Sequence, residues 1–134
     1  MFGRLIVLAL SLALVVSTGC GGKGGSANPD ETPPQGALEE LGSVIQSMAQ
    51  QKKSPPTKAA DLRMYEPIAP TAVAGVTSGK YVYLWGAGYK PGGTGIVAYE
   101  ASADSKGGWV LLEDGSVKKM SASEFASAPK AGKQ

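Results

Sequence analysis

Apolar residues recur at three- and four-residue spacing in the segment between the two Pro-Pro pairs of the chain. They are Leu38, Leu41, Val44, Ile45 and Met48, while Glu39, Glu40, Gln46 and Gln50 take the opposite positions. This period predicts an amphipathic helix over residues 33–53 with one stripe to bury. Because Met48 lies on that stripe, we interpret it as core packing rather than as part of a partner-binding groove.

Both ends of the predicted helix carry start and stop signals. Thr32 suits the N-cap, Pro33 suits the first helical position, and Gln35 would complete a capping box with Thr32. At the other end, Lys52 and Lys53 would interact favourably with the negative end of the helix dipole. The Ser-Pro-Pro sequence that follows ends the pattern.

Shorter patterns downstream predict two helical turns and then three or four strands. "TKAADL" begins with Thr57 as a cap, and "PTAVAGVTSG" ends at Gly79, where a left-handed C-cap fits. "KYVYLWG" alternates Tyr81, Tyr83 and Trp85 with smaller apolar residues, and this period of two favours a strand. "IVAYEA", "WVLLE" and "SVKKM" predict the remaining strands.

Asp114 and Gly115 stand between the last two strand patterns. Asp-Gly is a strong hairpin signal, because both central residues of a type I′ turn need positive φ. Such a turn predicts the pairs Glu113–Ser116, Leu112–Val117, Leu111–Lys118, Val110–Lys119 and Trp109–Met120. One face of the hairpin would then carry Leu112, Val110 and Val117, and the other Trp109, Leu111 and Met120.

The alternative interpretation makes Glu113 and Asp114 a catalytic carboxylate pair. Adjacent strand residues point to opposite faces of a sheet, so these two side chains would not flank one bond. We therefore assign Asp114 and Gly115 to a structural turn.

Together the patterns predict an α+β fold: an N-terminal amphipathic helix packed on a small antiparallel three- to four-stranded meander, with a short C-terminal helix. Ser121 and Glu124 form the capping box of that last helix, and Phe125 would close it onto the sheet. The residues after it have the composition of a frayed tail. A chain of 134 residues is long enough for one such domain, which we place at residues 33–134.

Composition removes several kinds of chemistry. The chain has no His and one Cys, so it cannot form a Cys and His zinc site, a His-activated nucleophile or an intramolecular disulfide. The net charge is only +2 and scattered, which does not indicate a nucleic-acid surface. Ser54 and Lys58 are one residue too far apart for a Ser-x-x-Lys pair. We expect no catalytic residues, no metal and no cofactor.

Residues 1–19 have the pattern of an export signal. Arg4 precedes an apolar run over residues 5–16, broken only by one Ser. A run of this length fits the apolar region of a signal peptide and is shorter than the roughly 20 residues that a spanning helix needs. A buried core helix is the less favoured alternative.

The end of this segment resembles the lipobox of bacterial lipoproteins, in which small residues precede an acylated Cys. Thr18, Gly19 and Cys20 match it, and Ser17 stands where Leu is usual. The resemblance implies acyl chains on Cys20 that anchor the mature protein in a membrane. Gly21 in place of Asp implies outer-membrane retention, facing the periplasm. Residues 20–32, rich in Gly, Ser, Asn and Pro, would then be the acylated Cys and a flexible tether.

The stretch "AYEASADSKGGWVLLEDGSVKKMSASEF" resembles the C-terminal part of small planctomycete-type bacterial proteins with a prepilin-like or pseudopilin-like sheet. There, Gly-Gly precedes the first strand of a hairpin, Asp-Gly forms its turn, and a short helix follows. Many of those proteins carry a His before the Asp-Gly, with nine residues between the two. Asp104 occupies the position of that His here. A prepilin cleavage motif is replaced by the lipobox. The resemblance covers roughly residues 60–125 and implies a helix on an antiparallel meander with an extracytoplasmic, non-catalytic role.

Several functions compete at this point. The leading one is a membrane-anchored lipoprotein whose small domain binds or scaffolds a component of the cell envelope, either a protein or a polysaccharide. The resemblance suggests instead an accessory component of a secretion or pilus-like system. A third is a carbohydrate-binding module, in which Tyr81, Tyr83 and Trp85 form an aromatic row; the alternative for that row is packing under the first helix. An enzyme is the weakest hypothesis.

Overall fold

The computed structural model describes residues 33–132. The elements in this range are α1 Pro34–Gln50, α2 Ala59–Arg63, α3 Pro70–Thr77, β1 Tyr81–Tyr83, β2 Ile96–Glu100, α4 Ala103–Lys106, β3 Gly108–Leu112, β4 Val117–Met120 and α5 Ala122–Ser127. The predicted α+β class is confirmed. No helix among the described residues is long and apolar enough to cross a membrane. The predicted signal peptide, Cys20 and the tether lie outside the described residues.

The four strands form one antiparallel sheet in the order β1-β2-β3-β4, which is the predicted meander. Helices cover both faces of this sheet. Ala98 and Leu111 belong to the core that the sheet shares with α1 and α3. Ile96, Val110 and Leu112 belong to a second core on the other face, which α4 and α5 cover.

The apolar stripe of α1 is buried as its period predicts. All five of its residues, Leu38, Leu41, Val44, Ile45 and Met48, lie in the core, and Met48 is only 6% exposed. Burying five such side chains contributes on the order of 10 kcal/mol. Gly42 lets the helix approach the sheet closely, since a Cβ there would lie 3.0 Å from Leu111 Cδ1 and 3.4 Å from the Gly115 carbonyl oxygen.

The start of α1 differs from the prediction. Pro33 occupies the N-cap position, and no side chain caps this end. Gln35 donates instead to the Glu39 carboxylate at 2.8 Å, one turn further along the helix. The predicted cap, Thr32, lies outside the described residues.

The end of α1 also comes earlier than predicted, so Lys52 and Lys53 lie beyond the helix. Lys52 has a φ of +56°. Its N–H donates to Ala49 O at 3.0 Å, and the Lys53 N–H donates to Met48 O at 2.9 Å. These two bonds form a Schellman motif at the end of α1. Lys52 occupies the position of this motif that usually holds Gly, because its φ is positive. Lys52 and Lys53 therefore follow the C-terminus of α1, and the predicted helix end at residue 53 is wrong.

The caps of the two following helices were predicted with mixed success. Thr57 is not the cap of α2, because Lys58 holds that position. Thr57 instead donates from both N and Oγ1 to Asp61 Oδ2, at 2.9 and 3.0 Å. Gly79 follows α3 with a φ of +80°, which confirms the predicted left-handed ending.

The hairpin between β3 and β4 has a three-residue loop, not the predicted two-residue type I′ turn. Gly115 N donates to Leu112 O at 3.0 Å, and Leu112 N donates to Ser116 O at 2.9 Å. Gly115 has a φ of +84°, while Asp114 does not have the positive φ that a type I′ turn requires. The loop is thus a type I turn followed by a glycine bulge. Asp114 stabilises it by accepting from Ser116 N and Oγ, at 2.9 and 2.6 Å.

The extra loop residue moves the register by one. The observed pairs are Leu111–Val117, Val110–Lys118, Trp109–Lys119 and Gly108–Met120. A shift of one residue transfers every side chain of a strand to the other face. Met120 therefore joins Val110 under α5, and Val117 packs with Leu111 on the α1 side. The predicted pairs and faces of β4 are wrong for this reason.

The C-terminal helix α5 has the predicted capping box. Ser121 N donates to Glu124 Oε2 at 2.7 Å, and Glu124 N donates to Ser121 Oγ at 3.1 Å. Phe125 is buried against the sheet, with its ring centroid 4.7 Å from that of Tyr99. The preceding short helix α4, which contains Asp104, was not predicted.

The segment after α5 is docked rather than frayed as far as residue 132. Ile96 N donates to Pro129 O and Ala131 N donates to Ile96 O, both at 2.8 Å. These bonds form a parallel bridge at the start of β2. Lys130 Nζ donates to the carbonyl oxygens of Phe125 and Ala128. The ammonium group thereby satisfies carbonyl groups at the end of α5, an interaction that composition alone does not reveal.

We expect Gly115→Ala to lower the free energy of unfolding by about 1–2 kcal/mol, because an L-residue with a side chain is strained at a φ of +84°. Gly115→Asn is the matched control, since Asn tolerates the left-handed region better than Ala. Urea denaturation of both variants measures the difference. Equal stability of the Ala variant and the native protein would contradict the glycine bulge.

Candidate functional site

The predicted aromatic row does not form one exposed face. Strand β1 ends at Tyr83, so Trp85 lies beyond it and does not continue the alternation. Tyr81 and Tyr83 are 2% and 3% exposed and belong to the core under the helices, whereas Trp85 is 38% exposed. The three-residue row expected for sugar stacking is therefore reduced to one accessible ring. Trp85 packs edge-on against Tyr83, with ring centroids 5.0 Å apart.

The two buried tyrosines of β1 make contacts that stabilise the fold. Tyr83 Oη donates to the Ala87 carbonyl oxygen, and burial raises the pKa of Tyr83 well above its ordinary value. The ring of Tyr81 fills the space above Gly75, where a Cβ would lie 2.2 Å from Tyr81 Cδ2. Burial, followed by the charges of Glu100 and Glu40, raises the pKa of Tyr81. Neither phenol is placed to exchange protons with solvent.

Carboxylates of this domain serve mainly to hold the backbone. Eleven Asp and Glu residues are present in the chain, and Asp30 and Glu31 lie outside the described residues, which leaves nine. Six of these nine accept hydrogen bonds from backbone N–H groups: Glu40, Asp61, Glu100, Glu113, Asp114 and Glu124. Each of the six accepts from a different backbone N–H group. Among the described residues, no group of three or more His, Cys, Asp or Glu could hold a metal ion.

Three of these hydrogen-bonded carboxyls titrate below their ordinary range. The backbone N–H of Thr57 lowers the pKa of Asp61. The Ser116 hydroxyl and then its N–H lower the pKa of Asp114, and the Ser121 N–H lowers the pKa of Glu124. All three side chains are therefore charged at neutral pH, as acceptors and not as general acids.

Two adjoining depressions at the C-terminal end of α1 form a surface concavity, which we call the Pro55 groove. Met48, Lys53 and Pro55 line both depressions. The first has a volume of about 260 Å³ and extends to Tyr89 and Lys90. The second has a volume of about 400 Å³ and extends along α2 to Met64 and Tyr65. The groove has mostly apolar walls, and its charged lining is mixed: Lys53 and Lys90 together with Glu113 and Asp61.

The loop over residues 86–95 builds one wall of this groove. Gly86 N donates to Pro56 O at 2.8 Å, and Lys90 N donates to Glu113 O at 2.7 Å. Gly88 lets the loop approach the prolines, because a Cβ there would lie 3.2 Å from Pro55 Cβ. The loop is thus fixed both to the segment after α1 and to the hairpin.

Sequence patterns did not predict the Pro55 groove. The sequence patterns predict only a helix stop at Pro55 and Pro56. Tyr89, half-buried in the turn-forming loop over residues 86–95, was the one available signal, because an aromatic residue in a loop often packs against another segment. The contact that closes the groove joins Gly88 to Pro55, 33 residues earlier in the sequence, so no local period could indicate it.

No family model, no curated protein and no solved structure matches this chain. The resemblance to pseudopilin-like proteins therefore stays a prediction.

The lowered carboxyl pKa values predict a stability loss in acid. Asp61, Asp114 and Glu124 bind protons more weakly in the folded protein than in the unfolded chain. Their contribution to the free energy of unfolding is therefore fully present when the pH lies above the ordinary pKa values of 3.8 for Asp and 4.5 for Glu. It is lost as the pH falls through the lower folded values. We expect the triple variant Asp61→Asn, Asp114→Asn, Glu124→Gln to lose less stability than the native protein between neutral pH and pH ~3.

Urea midpoints across this pH range give the measurement, with Glu66→Gln, an exposed carboxylate after α2, as the control. If the native protein and the triple variant lost stability in parallel, these three carboxyls would not be the source of the acid dependence.

Proposed function

We propose that this chain is an exported lipoprotein, anchored in the outer membrane through acyl chains on Cys20, whose small domain binds an envelope component without catalysis. The anchor is supported by the charged start, the apolar run over residues 5–16 and the lipobox-like Thr18, Gly19 and Cys20. Export also agrees with the lone Cys, which the anchor would use.

The hydrogen bonding of the carboxylates is the observation that supports a non-catalytic function. Acid–base catalysis needs a titratable group within hydrogen-bond reach of a substrate and with a pKa near the working pH. Here six of nine described carboxylates accept backbone hydrogen bonds instead, and those with shifted pKa values are shifted away from neutrality. The chain has no His to take their place. Binding is therefore favoured over catalysis.

The Pro55 groove is the surface that we propose for the binding. Met48 and Pro55 are among its apolar lining residues, and Lys53, Lys90 and Glu113 supply charged groups. A mostly apolar concavity with a few polar groups at its edge is the usual form of a binding site. We infer an envelope protein segment as its partner, ahead of a polysaccharide, because only one aromatic ring of the expected sugar-stacking row is accessible.

An accessory role in a secretion or pilus-like system is the second candidate. One observation favours it: α1 packs on an antiparallel meander, which is the fold that the pseudopilin-like resemblance implies. A lipid anchor would then replace the N-terminal helix by which pilins assemble.

The anchor predicts the mass of the mature N-terminus. We expect the membrane fraction to contain a chain that begins at Cys20 and carries diacylglycerol in thioether linkage, visible by mass spectrometry of the N-terminal peptide. Cys20→Ala should abolish both the lipid mass and the cleavage. A mature chain that begins at another residue with a free Cys20 thiol would contradict the lipoprotein assignment.

The groove predicts a position-dependent crosslink. A photoreactive benzoylphenylalanine in place of exposed Ser54, at the Pro55 groove, should yield a discrete adduct with an envelope protein in cells. The same substitution at Ser123, exposed on α5 across the sheet, is the matched control. Mass spectrometry identifies the adducts. Equal adducts from both positions would remove the groove as the binding site, and a polysaccharide adduct would move the partner to that class.

A further inference from the structure

The chain contains one Asp-Gly peptide bond, between Asp114 and Gly115. Its other three aspartates precede Glu, Leu and Ser, and its one Asn precedes Pro. In an Asp-Gly sequence the backbone nitrogen of Gly can attack the side-chain carboxyl carbon, because no side chain on Gly shields that nitrogen. Asp114 is exposed to solvent, so water can reach it. This bond is therefore the position of the chain most open to isomerisation of the backbone.

The isomerisation has two steps and needs no reactant other than water. In the first step Gly115 N forms a bond to Asp114 Cγ. The proton on that nitrogen and the hydroxyl of the neutral carboxyl group leave together as water, and a five-membered succinimide ring results. In the second step water attacks the backbone carbonyl carbon of the ring and breaks its bond to Gly115 N. The product is isoaspartate, in which the main chain runs through Cβ; attack at Cγ instead restores Asp114.

The backbone of the hairpin loop holds Asp114 away from the geometry of this ring. Asp114 is the third residue of the type I turn that is closed by the hydrogen bond from Gly115 N to Leu112 O, at 3.0 Å. In such a turn ψ at this position is about 0°. A planar ring needs Asp114 Cβ and Gly115 N to be eclipsed about the Cα–C bond, so that bond must rotate by roughly 120°. The rotation would break the turn.

The side chain of Asp114 is also held in a form that does not react. Its Oδ1 accepts from Ser116 N at 2.9 Å and from Ser116 Oγ at 2.6 Å. Both bonds stabilise the ionised carboxylate, whereas water can leave only from the neutral carboxyl group. The Ser116 hydroxyl, followed by its N–H, lowers the pKa of Asp114. The neutral form is therefore rarer at neutral pH in the folded protein than in the unfolded chain.

An isomerised chain would not fit this loop. Isoaspartate adds one carbon atom to the main chain before Gly115, and the loop has little room toward α1. A Cβ on Gly42 would lie 3.4 Å from the Gly115 carbonyl oxygen, and a Cβ on Gly115 would lie 3.7 Å from Tyr89 Cε2. Tyr89 lines the Pro55 groove. Isomerisation would therefore disturb both the contact of α1 with the hairpin and one wall of the groove.

We propose that Asp114 is a latent isoaspartate site, which the folded hairpin loop keeps from reacting. The chain is vulnerable at this bond while it is unfolded, and formation of the hairpin protects it. The inference goes beyond the proposed function and does not depend on the anchor or on the partner of the groove, since it involves only residues 112–116 and water.

The test incubates the purified full-length protein in water enriched in heavy oxygen, once folded and once unfolded in guanidinium chloride. Each ring opening introduces one heavy oxygen atom into the tryptic peptide of residues 107–118, and mass spectrometry detects the label. Fragmentation that distinguishes Asp from isoaspartate assigns the product to position 114. We expect labelling to be at least about tenfold slower in the folded protein, because the turn and the carboxylate hydrogen bonds must be lost before the ring closes.

Substitutions at Ser116 separate local protection from overall stability. Ser116→Ala removes the hydroxyl that donates to Asp114, and we expect it to raise the labelling rate of the folded protein about fivefold. Ser116→Thr keeps a hydroxyl and should label like the native protein. Ser121→Ala is the matched control, because it removes the Ser hydroxyl that caps α5 and should leave the rate at position 114 unchanged. Urea denaturation shows that each variant is folded.

Three results would overturn the proposal. Equal labelling of the folded and unfolded chains would show that the loop gives no protection. An unfolded chain that takes up no label would show that the bond does not react. Equal acceleration by Ser116→Ala and Ser121→Ala would assign the protection to the stability of the whole domain and not to this loop.

Discussion

The close packing of α1 on strand β3 is the contact on which the rest of this structure depends. At Gly42 the helix backbone comes within reach of Leu111 and of the hairpin loop at Gly115. This approach covers one face of the sheet along its centre, and it places the C-terminal end of α1 beside the loop over residues 86–95. The Pro55 groove exists only because that helix end and that loop are held at a fixed separation.

A second constraint concerns charge in a domain with no disulfide and no His. Six of its nine described carboxylates, spread singly over the domain, each accept a hydrogen bond from a backbone N–H group. Glu100 does this for Trp109, Glu113 for Gly95 and Glu40 for Ala72. Such a distribution stabilises irregular segments, and it leaves few acidic groups for chemistry.

Sequence patterns predicted every element except α4, and in the observed order. The burial of α1, from Leu38 to Met48, follows from a 3.6-residue repeat that needs no tertiary information. Details that depend on single residues were less predictable. The hairpin loop has three residues and β4 is shifted by one, and the hydrogen bond from Ser116 Oγ to Asp114 stabilises this loop. The groove depends on Gly88 meeting Pro55, a contact between distant segments without a local signal. The hydrogen bond from Lys130 Nζ to the Phe125 carbonyl oxygen also had no local sequence signal.

The bridge between Ile96 and the segment around Lys130 has a consequence for the timing of folding. Residues 129–131 follow all the other elements in the chain, yet they complete the hydrogen bonding at the start of β2, which lies in the centre of the sheet order. The four strands pair with one another without this segment, but the two hydrogen bonds at the start of β2 form only after residues 129–131 have left the ribosome or the translocation channel. In a chain that crosses a membrane with its N-terminus first, this end of β2 would be the last part of the sheet to find its partner.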